Sequence, residues 1–195
     1  LTMTAGGFDL KTSSKFNIGL QGEVKEGLVC FTLDVFNDNR KSNISMEPGT
    51  NSPIFYELRN RGLEGVLSLK KTLREASFEM TFSGTYARNR MNRFYEYTGI
   101  PSSQKMTGKS YSSFGMMYPS DGIYKNAQEV STSTHLPYAQ PGDIRFSDLN
   151  GDATIDGLDR LRIEKDIMPR FQGGITMAIQ YHGFSLSAFI QGAAG

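Results

Sequence analysis

At 195 residues the chain is long enough for one domain or a large piece of one, and a net charge of +1 gives no electrostatic ground for binding nucleic acid. Glycine is abundant (21), the aromatics are Phe (13) and Tyr (9), and no helical period runs through the sequence, so it reads as an all-β chain. No apolar run reaches the length of a transmembrane helix, and Leu1-Thr2-Met3-Thr4 lacks the basic region and apolar core of a signal peptide, so a membrane role would fall to strands.

Lys15 to Val24 places Phe16, Ile18, Leu20 and Val24 on one face and Asn17, Gln21 and Glu23 on or near the other, the period of a two-faced strand. After a turn at Lys25-Glu26-Gly27, Leu28 to Phe36 alternates again, with Val29, Phe31, Leu33 and Val35 against Cys30, Thr32 and Asp34. The lone Cys30 excludes an internal disulfide framework and reads as a small mid-strand hydrophobe. From Asn37 to Arg61 the pattern dissolves into Asn, Asp, Arg, Ser and Pro, including Pro48-Gly49 and Asn51-Ser52-Pro53, which predicts a long polar loop.

Gly65 to Leu73 resumes strand character with Leu67, Leu69 and Leu73 on one face. A turn at Arg74-Glu75-Ala76 follows, and Ser77 to Ala87 sets Phe78, Met80, Phe82 and Tyr86 against Glu79, Thr81, Ser83 and Thr85. Residues 90–169 have no sustained apolar period and are rich in Ser, Tyr, Gly and Met, so they read as one long loop region. A last hairpin spans Phe171 to Ile190: Ile175, Met177, Ile179 and Tyr181 share a face, His182-Gly183 turns, and Phe184, Leu186, Ala188 and Ile190 return. About six strands in three hairpins therefore share one plan, tight turns at one end and long connections at the other. That asymmetry is expected of an outer-membrane barrel with apolar-out, polar-in strands, short periplasmic turns and long extracellular loops. Tyr181 and Phe184 would then sit in the periplasmic aromatic girdle. A soluble β-sandwich with its apolar faces packed together is the competing architecture.

Inside the long loop region, Asp148, Asn150, Asp152, Thr154, Asp156 and Asp159 occupy positions 1, 3, 5, 7, 9 and 12 of a calcium loop over 148–159, with Ile155 at the apolar position 8. Ca²⁺ takes six to eight hard oxygens, and this spacing turns alternate side chains inward while position 7 supplies a backbone carbonyl. Ala153 replaces the turn glycine at position 6, and Asp159 is shorter than the usual Glu at position 12, so weak calcium binding is expected. The strand-like Ile144 to Ser147 and Pro141-Gly142 before it exclude a paired helix-loop-helix hand. The competing reading is an Asp/Asn/Gly turn that caps its own backbone and holds no metal.

Pro141-Gly142-Asp143-Ile144-Arg145-Phe146, Asp148-Leu149-Asn150-Gly151-Asp152, Ile155-Asp156 with Asp159-Arg160, Phe171-Gln172-Gly173-Gly174 and Tyr181-His182-Gly183-Phe184-Ser185-Leu186-Ser187 together resemble the C-terminal barrel region of SusC/RagA-type TonB-linked outer-membrane receptors of Bacteroidetes. Thr12 to Leu20 and Asn60-Arg61-Gly62-Leu63-Glu64 agree, so the resemblance runs from about Thr12 to Ala194, departing at Ala153 where the family usually has Gly. It implies a segment, 1–195, of a large plugged barrel of about 22 strands, located in the outer membrane and in contact with its lipid. It also implies uptake of glycans or peptides driven by an energy-transducing inner-membrane TonB complex, and a SusD-like lipoprotein as a lid. Plug and TonB-contacting regions are not among these residues, and both chain ends read as cuts: there is no initiator Met, and Gln191-Gly192-Ala193-Ala194-Gly195 follows directly on a strand.

Phe55, Tyr56, Phe94, Tyr95, Tyr97, Tyr111, Tyr118, Tyr124 and Tyr138 are placed by this reading in extracellular loops, where rings either stack on cargo or pack loops together; none receives a substrate assignment. A soluble or surface calcium-dependent β-domain for binding or adhesion is the alternative function. An enzyme is not expected, because His135 and His182 are the only histidines and neither has the neighbours of a catalytic triad, a Cys/His pair or a hydrolase metal site.

Overall fold

A computed structural model of the chain describes residues 11–46, 53–113 and 115–195. Its body is one six-stranded antiparallel sheet, made of β1 (Lys11–Val24), β2 (Val29–Met46), β3 (Pro53–Leu73), β4 (Ala76–Phe94), β9 (Phe171–Tyr181) and β10 (Phe184–Ala194), in the order β1-β2-β3-β4-β9-β10. Every neighbour is the next strand in the chain, an up-and-down meander interrupted once between β4 and β9. The interruption carries β5 (Met116–Met117), β6 (Ser120–Ile123), the helix α1 (Ala127–Thr132), β7 (Ile144–Phe146) and β8 (Leu161–Arg162).

All three tight turns lie at one end, as the sequence predicts. Lys25, Glu26 and Gly27 take left-handed backbone in a four-residue first turn, Arg74 does so in the two-residue second turn, and His182 and Gly183 do so in the third, the conformation of a two-residue hairpin that follows strand twist. His182 Nε2 meets Glu75 in an ion-pair contact, so the second and third turns touch. The connections at the other end are 47–52, where Pro48-Gly49 and Asn51-Ser52 lie outside the described residues, and 95–170.

The polar stretch from Asn37 to Arg61 is not the loop its composition suggests. β2 continues to Met46 and β3 begins at Pro53, with Asn37↔Arg61, Asp38↔Asn60, Asn39↔Arg59 and Lys41↔Glu57 in ladder register. Likewise β4 passes Ala87 and Asn89 and ends at Phe94, so Phe55, Tyr56 and Phe94 stand on strands rather than in loops. The reason is solvation: these upper strand halves carry polar groups on both faces, and the period-2 signal needs one apolar face. Cys30 also lies closer to a turn than expected, as the second residue of β2, half-buried with Sγ 3.9 Å from Gly27 O.

Register gathers the apolar positions onto a single face. Ile18, Val35, Leu63, Tyr86 and Phe171 form one cross-strand row; Leu67, Phe82, Ile175 and Ile190 lie in a second; Val24, Val29, Leu69, Met80 and Met177 in a third; Tyr181 and Phe184 close the row nearest the turns. Nothing in the described chain covers this face: Phe16 is 62% exposed, Leu186 72% and Phe184 80%. The buried apolar side chains among the described residues are Met91, Met106, Tyr124, Val130 and Ile155, all in the 95–170 connection or beside it on upper β4. The core of this chain is therefore a loop core, and the sheet leaves its apolar face for something else.

Candidate functional site

The opposite face of the sheet is a polar wall. Asp34, Glu64, Thr85 and Gln172 share one row; Gln21, Thr32 and Ser83 the next; Glu23, Cys30, Ser68, Thr81 and Thr176 a third; Lys70 and Glu79 stand opposite one another below them. Ser68 and Thr81 hydroxyls bond across β3 and β4 at 3.0 Å. Asp34 faces Glu64 directly, a like-charge pair that is tolerable only where water solvates both. The wall is thus built for an aqueous surface, with hydroxyl, amide and carboxylate groups in alternating rows.

Glycines let aromatic rings lie flat against the ladder. On the apolar face Gly65, Gly84, Gly173 and Gly192 occupy consecutive register positions across β3, β4, β9 and β10, and the Phe171 ring covers two of them. A Cβ on Gly84 would meet Phe171 at an ordinary 3.5 Å, whereas on Gly173 it would meet Ser83 O at 2.9 Å and Phe171 Cζ at 3.0 Å. On the polar face the Phe36 ring packs over Gly62 in the same manner.

The 95–170 connection is an ordered cap with its own hydrogen-bonding. Residues 108–113 take the place of β9 beside upper β4, through Met91 N donating to Lys109 O (2.9 Å) and Gly108 N to Met91 O (2.6 Å). Asn89 Oδ1 accepts from Ser110 Oγ and Tyr111 N at 2.8 and 2.7 Å. Helix α1 starts at Asn126, whose side chain accepts from Glu129 N, while Glu129 reaches back to Lys125 N. Buried Tyr124 donates its hydroxyl to Thr134 O at 3.1 Å. Asp166 is held by Ser112 and Arg170; burial works to raise its pKa, but the bonds from Ser110, Arg170 and Ser112 outweigh this and hold it below the usual carboxylate range.

Within this cap the 148–159 loop closes on its own backbone. Asp148 accepts from Gly151 N (2.7 Å) and Ala153 N (2.8 Å), Asn150 from Asp152 N (3.1 Å), Asp152 from Thr154 N (2.9 Å), and Asp156 from Leu158 N (2.7 Å). Fully buried Asp159 accepts from Leu149 N and Asp156 N, both at 2.8 Å, and from Asn150 N, completing a capping box with Asp156 over a 3₁₀ turn at Gly157–Asp159. The Asp156 N–H, with those of Leu149 and Asn150, holds the Asp159 carboxyl below its ordinary pKa. Ala153 keeps the left-handed turn its position demands, at φ 64°. Ile155 is buried, as its apolar position predicts. Among the described residues no three His, Cys, Asp or Glu side chains gather in metal-holding geometry. Each carboxylate oxygen does retain a second lone pair, so Asp148, Asn150 and Asp152, with the Thr154 carbonyl, are the groups that would hold a weakly bound cation.

Sequence reasoning missed two features. Gln104, buried, donates through Nε2 to Gly157 O (2.7 Å) and Leu158 O (3.2 Å), pinning the loop from 53 residues away. The second is a basic group formed by Arg59-Asn60-Arg61 and Arg88-Asn89-Arg90, which pair antiparallel so that Arg59 faces Arg90 and Arg61 faces Arg88. The repeated triplet was its signal, legible only once β3 and β4 are known to extend that far. Of the aromatics, Phe55 and Tyr95 pack edge to face at 6.0 Å, Tyr118 packs on Phe146 at 5.6 Å, and Tyr124 is buried, whereas Tyr97, Tyr111 and Tyr138 are exposed.

No helix is long and apolar enough to cross a membrane, which says nothing of strands. No protein-family model matches the chain, and no curated protein does. Solved structures do. The RagAB peptide transporter superposes with a TM-score of 0.62 at 16% identity, covering 93% of this chain and 21% of that one. The RagAB peptide importer gives the same values in its closed-closed state, and 0.60 at 17% identity over 91% and 20% in its open-open state. The likeness is one of fold, and this chain spans about a fifth of the length of those chains.

Proposed function

We propose that the chain is a wall segment of a TonB-dependent outer-membrane nutrient importer, with the polar face lining the lumen, the apolar face against lipid, and the 95–170 cap outside the cell. One observation carries this reading: an uncovered apolar face bounded by aromatic residues at both ends, Phe16, Tyr86 and Phe171 above and Tyr181 and Phe184 below. From Leu63 to Leu73 such a band runs about 34 Å along a strand, which at the usual tilt stands about 25 Å high, the height of a barrel's lipid belt. Placing all three tight turns at one end agrees with periplasmic turns.

Importers of this architecture are plugged, and the sheet here would contribute wall rather than gate. The cargo class is peptide or oligosaccharide; the solved neighbours are a peptide transporter and a peptide importer, which favours peptide. A SusD-like lipoprotein over the cap and a TonB complex contacting a region beyond these residues complete the assembly under this reading. No residue is assigned a catalytic role.

Fractionation of the intact protein in its native cell tests the proposal. Recovery in the outer membrane together with a lipoprotein is the expected result. Recovery as a soluble, detergent-independent protein would overturn it and leave the calcium-dependent β-domain as the working description.

A further inference from the structure

Arg59, Arg61, Arg88 and Arg90 stand as two directly opposed like-charge pairs on the same sheet face as the apolar band, in the two rows above Leu63 and Tyr86. With Asn92 they line a small cavity of about 120 Å³. Like charges set opposite one another on a ladder are destabilising unless something compensates them. Their protein partners are neutral: Arg59 Nε donates to Asn37 Oδ1 at 2.7 Å and Arg90 Nε to Gly108 O at 2.6 Å. The carboxylates of Glu57, on β3, and Glu164, which lines a neighbouring cavity with Arg88 and Arg90, are engaged elsewhere, Glu57 with Lys41 at 3.7 Å and Glu164 with Lys109. Among the described residues no carboxylate pairs with any of the four.

We infer that this cluster binds the phosphate of an outer-leaflet lipid headgroup, a phosphorylated glycolipid whose acyl chains lie on the apolar face below. The inference rests on the outer-membrane reading above. Position selects the ligand: the arginines face the side on which the band meets lipid, at the height where the aromatic edge of Phe16, Tyr86 and Phe171 places the headgroups. Chemistry agrees, since guanidinium forks bind phosphate bidentately, and Arg61 and Arg88 have no competing protein bond among the described residues. Directly beneath, Leu63, Gly65 and Leu67 continue the apolar face from the cluster along β3.

The test uses the intact protein, purified from outer membranes in mild detergent, with bound lipid extracted, identified by mass spectrometry and assayed for phosphate. Outer-membrane recovery is scored first; its failure sinks the membrane reading, whereas recovery with unaltered lipid content sinks this inference alone. The wild type should retain phosphorylated glycolipid, the Arg61→Gln/Arg88→Gln pair at least fivefold less, and Lys71→Gln, near the opposite edge of the same face, as much as wild type. Equal phosphate in the double variant, equal loss in Lys71→Gln, or phosphate bound without acyl chains would overturn it. A readout independent of variant folding is the thermal midpoint of the wild type titrated with monophosphorylated lipid A and with its dephosphorylated form. Only the phosphorylated lipid should raise it, and an equal rise with both would overturn the proposal.

Discussion

Phe171 lays its ring across Gly173, two residues along its own strand, so closely that a Cβ there would meet both Phe171 Cζ and the Ser83 carbonyl at about 3 Å. The Ser83 atom is backbone and cannot swing aside. Gly173→Ala should therefore destabilise the sheet by about 1–3 kcal/mol through overpacking, whereas Gly84→Ala, meeting Phe171 at 3.5 Å, should change it little. The temperature at which the intact protein loses its folded, compact form on semi-native gels would separate the two; equal effects would mean the ring does not sit where the structure puts it.

What was legible in the sequence was whatever alternated. Phe78, Met80 and Phe82 against Glu79, Thr81 and Ser83 fixed a two-faced strand, and the turns at Lys25-Gly27 and His182-Gly183 fixed the hairpins, so the lower half of the sheet could be read from residue order alone. The upper halves of β2, β3 and β4 could not, because Asn37 to Ser42 and Leu58 to Arg61 face polar surroundings on both sides and alternate nothing. The cap was opaque for another reason. Its order comes from long-range bonds such as Gln104 to Gly157 and Asn89 to Ser110, which leave no local period. The 148–159 spacing was fully legible, yet spacing alone did not say that Asp156 and Asp159 would cap a 3₁₀ turn.

The lipid-facing reading makes the two faces respond oppositely to charge. Leu67 and Phe82 stand opposite one another near the middle of the apolar band. Leu67→Arg or Phe82→Arg should cost about 2–4 kcal/mol, the midplane value for a barrel wall, while Phe184→Arg at the band's edge should cost about 0–1 kcal/mol. Thr81→Arg, on the polar face, should be tolerated. Refolding into lipid vesicles under denaturant titration gives all four numbers. A sheet buried in water against a second sheet would instead penalise Phe82→Arg without any graded dependence on height.

Acid should loosen the cap. Asp159, Asp166 and Asp121 all have pKa values lowered in the folded protein, Asp159 by the N–H groups of Asp156, Leu149 and Asn150, and Asp121 by the bond from Arg145. A carboxyl depressed on folding contributes stability that is complete above its unfolded value, about 3.9, and lost as pH falls through the folded value. Cap stability should thus be level from neutral pH to about pH 4 and decline below it. Limited proteolysis across pH, using an acid-active protease, should show cleavage within 95–170 rising below that point, and Asp159→Asn, with one acceptor oxygen instead of two, should show it already at neutral pH. Cleavage that is flat down to pH 3 would mean these carboxylates do not hold the cap.

Calcium at 148–159 is a separate question from the loop's own closure, because the Asx-type bonds of Asp148 and Asp152 order the turn without metal. That order has two consequences. It lowers the entropy lost on binding a cation, and it diverts oxygens that a tight site would aim inward, while the buried Asp159 carboxylate is already held by three N–H groups. Weak binding is the expected balance, and a ligand at ten times its Kd stabilises the folded form by about 1.4 kcal/mol. Millimolar calcium should accordingly raise the thermal midpoint of the cap, and Asp148→Ala with Asp152→Ala should abolish the rise while also lowering the midpoint without calcium. A lowered midpoint with the calcium response intact would place the cation elsewhere, and a wild type indifferent to calcium would leave the loop as a self-capped turn whose carboxylates serve the backbone alone.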